Sequence, residues 1–173
     1  MFKKITFLSY IIILIPVCFC ENISFRNTYE LVLSIDEENY YSWDVPESPY
    51  FVEKDVLQIY PNETVYIEVD NTNTIINEMK IVKDNINREK TIIIEFKQIT
   101  KKENQRIHDM MILNIFNPLD YDLNYSCYMY LLKNNKWVRT SVIPVRATIG
   151  SYEIWPDIII TLLLQKFTLS EKQ

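Results

Sequence analysis

The chain has 173 residues, 48 % of them hydrophobic and 24 % charged, with a formal net charge of −5. That length suits one domain and that balance suits a buried core, which excludes disorder over most of the chain. A single glycine and a single histidine rule out glycine-rich phosphate loops and multi-histidine metal sites.

Lys3 and Lys4 precede a mostly apolar run from Ile5 to Val17, and Cys18-Phe19-Cys20 follows before Glu21. This is the three-part pattern of an export signal. The run is shorter than the roughly 18 apolar residues that a membrane-crossing helix needs. A cleaved signal peptide over residues 1–20 is therefore expected, followed by one domain over 21–173 with no membrane span. The alternatives are an uncleaved anchor, or lipid attachment at Cys18 or Cys20. Either way the protein is expected outside the cytosol, secreted or periplasmic.

Without residues 1–20 the chain carries 16 basic and 23 acidic residues, a net charge of −7, and one cysteine, Cys127. One thiol makes no internal disulfide, so packing must hold the domain together. Acid is concentrated early: the sum is −10 over residues 21–70 and +3 over 71–173. The two halves could meet within one fold or between two copies. The Lys97, Lys101, Lys102 and Arg106 cluster is too small, on too acidic a chain, for nucleic-acid binding.

In chain order, Tyr29, Leu31, Leu33 and Ile35 alternate with Glu30, Val32, Ser34 and Asp36, the pattern of a half-buried strand. Asp36-Glu37-Glu38-Asn39 follows and reads as a solvated turn. It has the oxygen chemistry of a Ca²⁺ site but not the spacing or the turn glycine of an EF-hand loop. Residues 40–51 then hold five aromatics, Tyr40, Tyr41, Trp43, Tyr50 and Phe51, with Pro46 and Pro49. The prolines favour an extended loop. Its aromatics could stack on a sugar, anchor a protein, or fold over the core as a lid.

Val65, Ile67 and Val69 mark the next strand, and residues 71–89 read as a short helix or an irregular crossover. Strands are expected over 90–99, 107–116, 124–132 and 137–145, with Asn134-Asn135 forming a tight hairpin between the last two. Cys127 shares a strand face with Tyr125, Met129 and Leu131, as a buried small hydrophobe would. Tyr152 to Pro156 reads as a structural corner or a ligand patch. Residues 158–167, with three consecutive isoleucines, complete the set as a strand.

About eight strands without alternating helices argue an all-β antiparallel sandwich of one domain, immunoglobulin-like at the level of fold. No metal ligand set and no cofactor site is evident. The expected function is that of an exported, non-enzymatic binding module for a protein or glycan at the cell envelope. Its ligand-binding residues are expected to be Tyr40, Tyr41, Trp43, Tyr50 and Phe51. The alternative is a small secreted hydrolase that uses His108 with nearby acids.

Overall fold

The computed structural model describes residues 24–172, and the expected signal over 1–20 lies outside them. Fourteen strands form, where about eight were expected. The first six are β1 (Phe25–Arg26), β2 (Tyr29–Ser34), β3 (Tyr40–Val45), β4 (Ser48–Pro49), β5 (Phe51–Glu53) and β6 (Val56–Ile59). Then come β7 (Glu63–Thr72), β8 (Ile75–Val82), β9 (Thr91–Thr100) and β10 (His108–Asn117). The last four are β11 (Asp122–Leu131), β12 (Lys136–Thr140), β13 (Ile149–Trp155) and β14 (Ile159–Ser170).

Two five-stranded sheets, β13-β10-β9-β7-β8 and β12-β11-β14-β6-β5, face each other, with antiparallel pairs throughout. Every second residue points into the space between them. The first sheet contributes Val65, Ile67, Ile92, Ile94, Phe96, Met111 and Leu113 to the core, and the second Leu57, Ile59, Leu123, Cys127, Met129, Leu162 and Leu164. In β14 the register against β11 slips between Asn124 and Ser126, with Lys166 at φ 58°. That bulge turns Phe167 and Leu169 back into the core.

Turns are made without glycine. Asp55, Asn62, Asn73 and Asn135 all take positive φ, the conformation that short polar side chains tolerate best after glycine. Asn73 explains one departure from expectation. It turns β7 directly into β8, so residues 75–82 are an edge strand rather than a helix or crossover. Both faces of β8 are largely open, which removes the alternation that marks a half-buried strand.

The hairpin at Asn134-Asn135 forms, but wider than expected, with Leu131 opposite Lys136 and the Asn135 amide donating to Leu131 O at 3.0 Å. β12 ends at Thr140, and only Val145 bridges back to Leu123, so 137–145 is not one continuous strand. The chain then crosses between sheets. Buried Asn117 and Asp122 hold that crossing through Val145 O, Arg146 Nη1 and the Ala147 amide. The segment expected to be a corner, Tyr152 to Pro156, is mostly edge strand β13.

Candidate functional site

The aromatic segment is not a free loop. Residues 40–45 form β3, paired along their whole length with β2, and the prolines interrupt the chain only from Pro46. Leu31 faces Trp43 and Leu33 faces Tyr41, which puts all four side chains on one face of the hairpin. That face closes one end of the sandwich. Leu31, Leu33 and Val45 pack there with Tyr60 and Ile160, and Tyr29, Tyr41, Tyr130 and Ile158 surround them.

Four of the five expected site residues are thus packed against the body of the protein. Tyr41 sits at the second core, and its hydroxyl pKa is raised by burial. Trp43 remains 38 % exposed while its ring lies 5.7 Å from that of Tyr60. Tyr50 and Phe51 pack on the main core. Tyr40 alone faces outward, 68 % exposed.

Beside the hairpin lies an open pocket of about 480 Å³, lined among others by Arg26, Tyr29, Tyr50, Asn62 and Glu63. Sequence reasoning passed over it because Arg26 and Glu63 look like ordinary surface charges on a polar stretch. Arg26 is in fact buried. Its Nε donates to Glu63 Oε1 at 2.8 Å, Nη1 to Ser48 Oγ at 3.0 Å and Nη2 to Gln58 O at 2.6 Å. Tyr50 and Tyr60 lie against the guanidinium, with their ring centres 4.6 and 4.9 Å from its carbon. Glu63 Oε2 also accepts from the Tyr60 amide at 2.8 Å. Every donor direction of the guanidinium is used within the chain, so this cluster pins β1 to β6 and β7.

The Tyr29 hydroxyl is buried beside that pair, without a hydrogen-bond partner among the described residues. Burial first, and the Glu63 carboxylate second, push it well above an ordinary tyrosine. It is a poor proton donor or acceptor for chemistry at neutral pH.

His108 sits at the other end of the same hairpin. Its Nε2 donates to Pro156 O at 3.0 Å, which leaves Nδ1 to accept from Gln98 Nε2 at 3.0 Å. The Gln98 amide also pairs with both backbone groups of Ser34, at 2.8 Å each. Among the described residues no carboxylate is a hydrogen-bond partner of His108, and neither this pocket nor a second one beside Tyr125 and Arg139 is lined by it. Its geometry is that of a latch. Asp36 is likewise committed to its own turn, accepting from Glu38 N at 3.0 Å and from Asn39 N at 2.9 Å. Among the described residues no group of three or more His, Cys, Asp and Glu gathers as a metal site.

Exposed apolar side chains also gather elsewhere. On the outer face of the first sheet, cross-strand partners align Gly150, Phe116, Ile93, Tyr66 and Val82 in one row across all five strands. The next row runs Tyr152, Asn114, Glu95 and Thr64, and the one after Ile154, Ile112 and Lys97, with the Glu95–Lys97 ion pair lying beside the apolar row. Tyr152 is 64 % exposed, Ile154 58 % and Phe116 39 %. The outward positions of strands are usually polar when they face water. Tyr152 and Ile154 were noticed in the sequence as a possible patch, but Phe116, Ile93 and Tyr66 join them only through the strand order.

Comparison of the chain with protein-family models, with curated proteins and with solved structures gives no match.

Proposed function

We propose that the protein is an exported, non-enzymatic binding module that holds a protein partner at the cell envelope through the outer face of its first sheet. The row Gly150–Phe116–Ile93–Tyr66–Val82, half-buried from Ile93 onward and exposed at Phe116, with exposed Tyr152 and Ile154 beside it, carries this reading. Contiguous apolar surface of this kind marks interaction sites, and aromatic anchors supply most of the energy in such contacts. Phe116, Tyr152 and Ile154 offer the large apolar side chains that anchor a protein partner, with the Glu95–Lys97 pair as a polar rim. Tyr40 and the exposed rim of Trp43 add smaller contacts at the end of the sandwich, where Tyr41 packs into the hairpin's own core. Export by the leader over residues 1–20 and an immunoglobulin-like arrangement of the sandwich, at the level of fold, belong to the same proposal.

The test uses capture from the envelope fraction of the native host, with the wild-type chain and a Phe116→Ser, Tyr66→Ser variant side by side. A protein held by the wild type and released by the variant, with the melting temperature of the variant unchanged, supports the reading. Equal capture by both would remove the sheet face as the contact surface.

A further inference from the structure

Each of the two five-stranded sheets has two edge strands, and three of these four carry features that stop a sheet from growing. β8 presents Glu78 and Lys80, β12 carries Lys136 and Arg139, and β5 is three residues long and ends on Glu53. Charge and shortness at an edge discourage a further strand. β13 is different. It runs for seven residues with one charge, Glu153, whose carboxylate is held by the Ile143 amide at 2.9 Å. β10 pairs with it on one side, and among the described residues no strand pairs with it on the other.

β13 also holds the only glycine of the chain. Gly150 does not have positive φ, whereas six other residues do. A Cβ built on Gly150 would meet nothing closer than 3.9 Å. Neither the local backbone nor packing within the chain calls for a glycine here. A glycine inside a strand also marks a place that another chain approaches closely.

We propose that β13 pairs antiparallel with β13 of a second copy about a two-fold axis at Tyr152, joining two first sheets into one of ten strands. Facing residues in an antiparallel pair share a face, so the axis must pass through a residue position. An axis at Tyr152 overlaps the whole strand. Ile154 then lies opposite Gly150 of the partner subunit and fills the space that the glycine leaves. Glu153 lies opposite Ser151 of the partner subunit. An axis at Glu153 would instead set two carboxylates face to face. The pairing does not depend on the partner proposed above, because the outer face simply continues across the joint.

Light scattering on the chain purified from its own host should give twice the chain mass, falling to the single mass on dilution. Gly150→Lys puts a charge on the edge at a position where the chain leaves room, so the variant should fold normally and lose the dimer. Ile154→Lys places a charge on the edge and should do the same. Amide exchange along β13 in the wild type should be slow at the double mass and fast at the single mass. A wild type at the single mass at every concentration overturns the proposal, as does a folded Gly150→Lys variant that keeps the double mass. Exchange along β13 that ignores concentration also overturns it, whatever the variants do.

Discussion

The guanidinium of Arg26 and the carboxylate of Glu63 meet at 2.8 Å, 2 % and 8 % exposed, and so tie a two-residue strand to the body of the sandwich. Strand β1 has almost no ladder of its own to hold it. The ion pair, the bonds to Ser48 and Gln58, and the two flanking tyrosines do that work instead.

Removing one half of a buried ion pair strands the other half without a partner, at a cost of about 3–5 kcal/mol. Arg26→Met should therefore lower unfolding free energy by that amount. Arg26→Met combined with Glu63→Leu should recover a large part of it, since no buried charge is left over. Urea melts of the single and double variants measure both. A single variant within about 0.5 kcal/mol of wild type, the range of ordinary surface changes, would show that the pair is idle.

Gln98 latches the other end of the hairpin by imitating a strand neighbour. Its amide accepts from Ser34 N and donates to Ser34 O, and the His108 amide reaches Ile35 O at 3.3 Å beside it. Gln98→Leu leaves the Ser34 groups unpaired and should cost about 1–3 kcal/mol, the penalty of orphaned polar groups. The loss should be local. Amide exchange of Ser34 and Ile35 should accelerate far more than that of Ile94 or Leu113 in the core, and uniform acceleration would argue against a latch.

Trp43 lies on the inward face of the hairpin but keeps 38 % of its surface exposed. Truncating a fully buried tryptophan costs about 3–5 kcal/mol. With over a third of the side chain already in water, Trp43→Ala should cost roughly 2 kcal/mol on that scale. A change within about 0.5 kcal/mol would place Trp43 with freely exposed residues and make it available as a contact.

The sequence makes the long central strands visible, because Val65, Ile67 and Val69 recur at every second position, as do Ile92, Ile94 and Phe96 in a run of β-branched residues. It hides what depends on pairing. Tyr41 and Trp43 look like loop residues between acids and prolines until Leu33 and Leu31 are set opposite them. β8 lacks alternation because it is an edge with neither face fully buried. Phe116 and Tyr66 lie fifty positions apart and become neighbours only through Ile93, so no local pattern could join them.

Cys127 offers a test of the core from a single atom. Its side chain is fully buried, and burial first, with the Glu153 carboxylate second, pushes its thiol from the ordinary 9.0 up to about 12. The thiolate is the reactive form. Labelling at mildly alkaline pH should therefore be very slow in the native protein and fast in urea. The sign of the stability effect follows from linkage. Below the ordinary thiol value both states hold the proton, and nothing changes. Between that value and about 12 the unfolded chain releases the proton while the folded chain keeps it, so stability falls as pH rises. Tyr29 and Tyr125, both raised chiefly by burial, add to the same slope above their ordinary 10.0. Cys127→Ala should start from a lower stability because of the small cavity, yet lose less of it between neutral and alkaline pH. Urea midpoints of both proteins across that range decide the matter: parallel losses would show that the thiol titrates alike in the folded and unfolded chain.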